Sequence, residues 1–371
     1  MAKSPARKFF KAFFVVINII VVILFLMASL SPWLNPESNG WIGFAGITTP
    51  YLILVLVISL VFWLAVKPKL ALIPLITLLI GFQQINASFA FHWNTQFIKT
   101  KNINDIRIVD WNVRSFNGIS ENKSRKKITR EAVASLIIRI QPDVICLQEF
   151  NSSIQKETQW DNIAMFIKQY PYYYFSKDYQ RSNGAYHSGC IIFSKFPMLD
   201  SGKIKYKTGE SLIFTDIEKG RDSFRIYTTH LQSFKFNKVD YDDIEKIKEQ
   251  DETGLSASKN IFQKMKLAFN KRGAQTDMVR TEIDKSPYPS IICGDFNDVP
   301  NSYTYFHIKG NRQDAFLQKD FGIGRTFISL APTLRIDYIL PDKNFDVKQF
   351  DLIDEDLSDH LLLVADLHLK K

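Results

Sequence analysis

Two long stretches without a single charge dominate the first quarter of this 371-residue chain. Phe13 to Leu30 is an 18-residue run, and Trp41 to Val66 is a second of 26 residues. A helix needs about 20 apolar residues to cross a hydrocarbon layer roughly 30 Å thick, and both runs meet that demand. Leu70 to Ile98 also lacks Asp, Glu, Lys and Arg, but Gln83, Gln84 and Asn86 dilute it, and Pro74 invites a kink. Trp33, Trp41, Tyr51, Trp63 and Trp93 fall near the run ends or flanks, as aromatic rings do at a bilayer interface. The pattern predicts a membrane anchor over residues 1–95, with three transmembrane helices at approximately 13–30, 42–66 and 70–90.

Orientation follows the basic residues. Lys3, Arg7, Lys8 and Lys11 precede the first run, none lies between the first and second, and Lys67 and Lys69 separate the second from the third. The excess of positive charge on the cytoplasmic side places the N-terminus and the Lys67–Lys69 turn in the cytoplasm. Three crossings then put everything beyond about residue 95 on the non-cytoplasmic side of an inner or plasma membrane, with the lipid bilayer as a partner. A signal peptide centred on Phe13–Met27 is the rival reading, but its small-residue cleavage pattern is poor. It would leave the later residues on the same side, whereas failure of the third run to span would put them in the cytoplasm.

Beyond residue 90 the chain changes character. It carries 41 basic and 37 acidic residues, a net charge of about +4, far weaker than the charge stripe of a dedicated DNA-binding domain. The whole chain is 46% hydrophobic and 23% charged, which argues against disorder. Cys146, Cys190 and Cys293 are too few and scattered for a disulfide scaffold or a thiolate zinc site. Each lies in an apolar, strand-like run and reads as a buried free thiol.

Strands and helices alternate from residue 106 on. IRIVDWNV (106–113), DVICLQE (143–149), GCIIFSK (189–195), SLIFTDIE (211–218), FRIYTTHLQ (224–232), SIICGDFN (290–297), TLRIDYIL (333–340), FDVKQFDLI (345–353) and LLLVADLHL (361–369) read as strands. Ile128, Ala132, Leu136 and Ile140 recur at helical spacing, as do Ile261, Met265, Ala268, Arg272, Gln275 and Val279. The charged stretch 235–252 reads as a solvated insert. The order predicts a layered α/β sandwich of about 270 residues, one domain over 101–371.

Polar residues concentrate where these strands end. Asn112 ends the first strand and Glu149 the second; His230 ends a later one; Asp295 and Asn297 follow SIICG; Asp337 interrupts an apolar run; Asp359 and His360 precede the last strand. Each alone has a plain structural explanation: a turn, a cap, or for Asp337 a pair with Arg335. Six strand ends sharing the pattern point instead to one functional edge of a rigid sheet. His187, His307 and His368 fall outside the set and read as structural.

These residues and their order resemble the endonuclease/exonuclease/phosphatase superfamily, which includes pancreatic-type DNase, AP endonucleases, inositol polyphosphate phosphatases and neutral sphingomyelinases. The motifs are WNVRSFN (111–117), QPDVICLQEF (141–150), SGCIIFSKFPM (188–198), TTHLQS (228–233), IICGDFNDVP (291–300), RIDYIL (335–340) and LSDHLLLVA (357–365). Separations of 37, 81, 65, 42 and 22 residues between Asn112, Glu149, His230, Asp295, Asp337 and Asp359 also fit. The resemblance implies a four-layer, DNase-I-like α/β sandwich that hydrolyses phosphate esters by in-line water attack with Mg²⁺, Mn²⁺ being the alternative.

By motif position, the resemblance makes Glu149 the principal metal ligand, with Asn112 beside it and Asp359 as a further ligand or its partner. Asp295 orients or deprotonates the water, and Asn297 bonds a phosphate oxygen. His360 contacts the phosphate while Asp337 fixes its tautomer, and His230 donates to the phosphate or the leaving oxygen. Arg114 matches the DNase-like branch and joins Asn297 and His230 in substrate binding; AP endonucleases usually carry an acidic residue there. Arg272 and Gln275 anchor their helix to the sheet. The substrate stays open between nucleic acid and a phospholipid or polyol headgroup, and no protein partner is expected. The alternative function is a membrane-tethered binding module of the same fold without catalysis.

Overall fold

The computed structural model describes residues 5–93, 96–117, 123–154, 160–249 and 254–370. Lys3 and residues 250–252 of the charged stretch lie outside them.

Four helices open the chain. α1 spans Pro5–Ala28 and α2 spans Ile42–Val66, each long and apolar enough to cross a membrane. α3 (Pro68–Ile80) and α4 (Phe82–Ser88) meet at Gly81 with a 64° bend. The third apolar run is therefore broken, and it makes a third crossing only if the bent pair counts as one span. The aliphatic side chains of α1 and α2 point outward: Ile20, Ile23, Leu54, Ile58 and Val61 are all at least half exposed. Such a surface on a helix suits lipid, not water. Ser59 Oγ donates to Asn18 Oδ1 at 2.9 Å between α2 and α1, a polar link of the kind that joins helices where water is absent.

Among the described residues, fourteen strands follow. β1 (Ala90–Phe91) pairs with β11 (Phe321–Gly322). The larger sheet contains β13 (Phe345–Ile353), β14 (Leu362–Leu369), β2 (Ile106–Asn112), β3 (Val144–Ser153), β6 (Tyr186–Ser194) and β4 (Tyr172–Phe175) in that order, with β5 (Tyr179–Arg181) also on β6. The smaller contains β12 (Asp337–Pro341), β10 (Ser290–Asp295), β9 (Asp222–His230), β8 (Ser211–Lys219) and β7 (Met198–Lys205). Ile106, Ile108, Val144, Cys146 and Ile192 of one sheet pack directly against Ile213, Ile226, Ile291, Cys293 and Ile339 of the other. The outer face of the larger sheet is covered by helix Lys123–Ile140, and that of the smaller by helices Gly254–Ile283 and Tyr303–Lys309. Central strands such as β2 and β10 are buried along their whole length because both faces are covered. The result is the four-layer α/β sandwich expected, and all three cysteines are buried free thiols.

Local differences have local causes. Ile128 lies outside the apolar stripe of its helix, 67% exposed, and Val133, Leu136 and Ile137 form the buried face. Within 333–340 only the part from Asp337 is strand. The backbone N–H groups of Ile336 and Asp337 both donate to Thr326 Oγ1 instead of to a neighbouring strand. The charged stretch contains helix Lys238–Glu249, tied to the following long helix by Lys264 and Asp240 at 2.6 Å. Phe236 and Tyr241 within it face the site cavity, so it is more than a solvated insert.

Candidate active site

Two parallel strand pairs decide where the site lies. β2 and β3 run parallel, joined through helix Lys123–Ile140, and β9 and β10 run parallel, joined through helices Lys238–Glu249 and Gly254–Ile283. A parallel pair brings two carboxyl ends to one edge. Asn112 and Glu149 reach that edge from the larger sheet. In the smaller sheet, Asp295 lies in register with His230 on one side and with Asp337 on the other. Gly294 permits this close approach: its φ is +137°, and a Cβ there would overlap the Thr229 carbonyl.

Distances bind the residues into one cluster. Asn112 Nδ2 donates to Asp295 Oδ2 at 3.1 Å and to Glu149 Oε1 at 3.3 Å. His230 Nε2 lies 3.5 Å from Asp295 Oδ2 and 4.0 Å from Glu149 Oε1. His360 Nε2 is 3.8 Å from the same Asp295 oxygen, and its Nδ1 is 3.0 Å from Asp337 Oδ2. Arg114 Nε and Asp359 Oδ2 form an ion pair at 3.2 Å. The Asn297 backbone N–H donates to Asp295 Oδ1 at 2.8 Å, and its side-chain amide donates to the Leu231 carbonyl at 3.0 Å. All nine residues named from the sequence thus gather at one place. Asp337 pairs with His360 and not with Arg335, whose partner is Asp314.

Neighbouring groups hold these residues in place. Trp111 Nε1 donates to the His360 carbonyl at 2.8 Å, and Ser358 Oγ donates to the Asn112 carbonyl at 2.8 Å. Arg272 is fully buried; it donates to the Gln232 carbonyl at 2.7 Å and faces Asp298 at 3.3 Å, while Gln275 accepts from the Gln232 N–H. Both serve as helix anchors. His368 and His307 pair with Asp105 and Asp277 at 2.9 and 3.4 Å, and none of the four lines the site cavity.

Strain collects at this edge. Arg114, Glu149 and Asn297 all have φ between +45° and +52°, a left-handed region that costs roughly 1–2 kcal/mol for a residue with a Cβ. Glu149 sits where the β3–β6 register shifts between Leu147 and Phe150. Such a bulge re-aims a side chain, and here it carries Glu149 toward the cavity.

Electrostatics separate the charged groups. Burial and the adjacent Asp337 raise the Asp295 carboxyl to about 6, while His360, His230 and the Asn112 amide act in the opposite sense. Burial works against a charged His360, but Asp337 and Asp295 prevail and lift it to about 10. His230 is likewise raised: burial opposes its charge, and Glu210, Asp295 and Glu149 outweigh it.

Several residues near the site went unnoticed in the sequence. Glu210 Oε1 lies 3.8 Å from His230 Nδ1, yet it sits in a loop with no motif around it. Asp110 is fully buried beneath the site and accepts from Gln148 Nε2 at 2.8 Å. Its one signal is an acid between the apolar Val109 and Trp111 of a buried strand. Burial and Asp337 push its carboxyl well above the usual range.

The cavity above the cluster has a volume of about 220 Å³. Its polar end holds Arg114, Glu149, His230, Asp295, Asn297, Asp359 and His360. Glu149 and Asp359 supply carboxylate oxygens at that end, which suit a hard divalent cation, while Asn112 Oδ1 already accepts from the Arg114 N–H at 3.0 Å. Asp295, Asp337 and His360 also bring ligand atoms within 4.8 Å of one another, but His360 Nδ1 is already committed to Asp337.

A family model described as "Endonuclease/Exonuclease/phosphatase family" matches residues 111–360, about two thirds of the chain. A domain of unknown function (DUF8431) matches residues 9–88. No curated protein matches. An endonuclease/exonuclease/phosphatase structure from Beutenbergia cavernae is 19% identical, covering 72% of each chain with a TM-score of 0.50. The human Nocturnin catalytic domain is 20% identical over 75% of this chain and 98% of its own, with a TM-score of 0.49. A humanised TDP2 of D. rerio is 17% identical over 71% and 99%, also at 0.49. The first of these likenesses agrees with the four-layer fold, and the family match covers every strand end from Asn112 to His360. On that match the chain belongs to the endonuclease/exonuclease/phosphatase family.

Proposed function

We propose that this protein is a membrane-anchored, metal-dependent phosphoesterase. The family consists of hydrolases that act on phosphate esters, and its members generally depend on a divalent metal. One observation carries the finer reading: residues from six strand ends, spread over nearly 250 positions, meet around Asp295 with separations of 3.0–4.0 Å. A binding module without chemistry would not need two buried histidines and a buried carboxyl held against one another.

A divalent ion bound by Glu149, with Asn112 and Asp359 beside it, would offset phosphate charge and polarise the ester. Mg²⁺ suits such oxygen donors, and Mn²⁺ would also serve. Asp295, raised toward neutrality and fixed by the Asn297 N–H, accepts a proton from the attacking water. The water oxygen bonds to phosphorus as the bond to the leaving oxygen breaks. His360, cationic and oriented by Asp337, donates to a non-bridging phosphate oxygen, as does Asn297. His230 donates to the phosphate or the leaving oxygen, and Arg114 adds positive charge at the rim. Such donors matter because they are already aimed where charge develops.

The anchor reading rests on α1, α2 and the bent third segment. Ser31, Asn35, Gln84 and Ala87, from the α1–α2 connection and from α4, all bond the catalytic domain. The Lys67–Lys69 turn joins the opposite ends of α2 and α3 and is exposed. These contacts support the reading that the domain lies on the side away from the basic residues, the non-cytoplasmic side by charge.

The test is hydrolysis of bis(p-nitrophenyl) phosphate by the full-length protein in detergent. Turnover should appear with Mg²⁺ or Mn²⁺ and vanish in EDTA. Activity that persists undiminished in the chelator would rule out metal dependence, and no turnover with either ion would favour the inactive binding module.

A further inference from the structure

The site cavity has a second end that phosphate chemistry does not use. Val299, Leu334 and Ile336 form a small buried apolar cluster, completed by Phe327, Leu330 and Ile47. All six also line the cavity that holds Glu149, His230 and His360. Ile47 belongs to α2, the second helix long enough to cross a membrane. The anchor therefore supplies part of the active-site wall.

This contact is built in, not incidental. Gly43 and Gly46 lie one turn apart on the buried side of α2. A Cβ on Gly43 would overlap the Phe269 ring, and one on Gly46 would overlap the Asn301 carbonyl. Two glycines thus let α2 dock at backbone distance. Phe234, Phe236 and Tyr241 line the same cavity and pack in a row, with ring centroids 5.3 and 6.1 Å apart. Phe44 on α2 extends the aromatic surface through Phe269 and Phe262, at 5.2 and 5.0 Å. At the same end of α2, Trp33 and Trp41 are 61% and 55% exposed, as rings at a lipid–water boundary would be.

Resting on the phosphoesterase reading, we propose that the substrate is a phosphoester lipid of the surrounding bilayer. Its phosphate enters the His230–Asp295–His360 end, and its acyl chain lies along the apolar wall that α2 completes. A soluble sugar or polyol phosphate has nothing to place against Leu330, Leu334 and Ile47. A nucleic acid would stack bases on aromatic rings but gains little from these aliphatic groups, and its backbone calls for a track of cations. Besides the two site histidines, Arg114 and Lys235 are the basic side chains among the described residues that line the cavity. In the reaction, the water oxygen joins phosphorus and the P–O bond to the leaving alcohol breaks. One water proton reaches that alcohol oxygen, and the other stays with the phosphate product or Asp295.

The experiment compares kcat/KM of the full-length protein, with Mg²⁺, on dipalmitoyl and dibutyryl phosphatidylglycerol and phosphatidylethanolamine, on single-stranded DNA and on bis(p-nitrophenyl) phosphate. Each buried methylene is worth about fourfold, so three or four against the wall predict a long-chain preference on the order of 100-fold. Ile47→Gln should lower that preference at least ~10-fold, through loss of apolar wall area. A phospholipid with a diazirine in its acyl chain, added to metal-free protein, should crosslink to peptides containing residues 42–49 or 327–336. Hydrolysis of bis(p-nitrophenyl) phosphate without a long-chain preference, or DNA as the better substrate, overturns the lipid assignment alone. Crosslinks that avoid both peptides also overturn it. No turnover of any ester overturns it together with the phosphoesterase reading.

Discussion

At the residue scale, the site is a set of competing charges resolved by geometry. Asp295 touches Asn112, His230 and His360 and lies in register with Asp337, so its carboxyl is shared among a donor, two imidazoles and a like charge. Removing a donor that acts mainly in the transition state typically costs two to three orders of magnitude. His230→Ala and His360→Ala should each lower kcat at least ~100-fold, and wild-type rates in either variant would contradict the assigned role. Glu149→Gln keeps the shape of the side chain and removes its charge. It should abolish metal-dependent turnover with little change in Tm, because the side chain is 38% exposed and Gln keeps its shape. Full activity in that variant would contradict the ligand assignment.

At the element scale, the informative contact is α2 against the catalytic domain. Replacing Gly46 by Leu sets two effects against each other. Helix propensity favours Leu over Gly by somewhat under 1 kcal/mol. Overlap with the Asn301 carbonyl favours Gly, and overpacking typically costs ~1–3 kcal/mol. The clash should win, so Gly46→Leu should lower Tm of the detergent-solubilised protein. A raised or unchanged Tm would mean that α2 does not dock as described. The bend at Gly81 belongs to the same scale. A Cβ there would overlap Phe25 of α1, so the break in the third run is packed against a neighbour and is not just a consequence of weak hydrophobicity.

At the scale of the whole molecule, the N-terminal apolar helices and the sandwich pack together, and Ile47 of α2 lines the site cavity. Ser31 Oγ donates to the Asn301 carbonyl at 2.6 Å, Asn35 to Asp277 at 2.8 Å, and Arg335 to the Ala87 carbonyl at 2.7 Å. These contacts tie both the α1–α2 connection and the end of α4 to the domain, which fixes how α2 sits against the cavity. The expected topology follows: protease added to spheroplasts should digest the domain beyond residue 95, at exposed loops. Protection of that domain until the membrane is permeabilised would place it in the cytoplasm and reverse the orientation.

Apolar run lengths, strand order and the polar strand ends were legible in the residues themselves, because burial and backbone pairing impose periods of 3.6 and 2 on any sequence that folds. Those features single out Asn112, Glu149, His230, Asp295, Asn297, Asp337, Asp359 and His360 from the residues alone. The partner of each was not legible. That Asp337 meets His360 and not Arg335, that a bulge swings Glu149 into the cavity, and that Glu210 and Asp110 stand behind the site all depend on register between distant strands. The role of α2 was also hidden: its composition speaks only of lipid, and Ile47 is one aliphatic residue among many. Contacts across some 250 residues of chain are set by packing in three dimensions, and no local pattern records which apolar side chain will stand beside the catalytic edge.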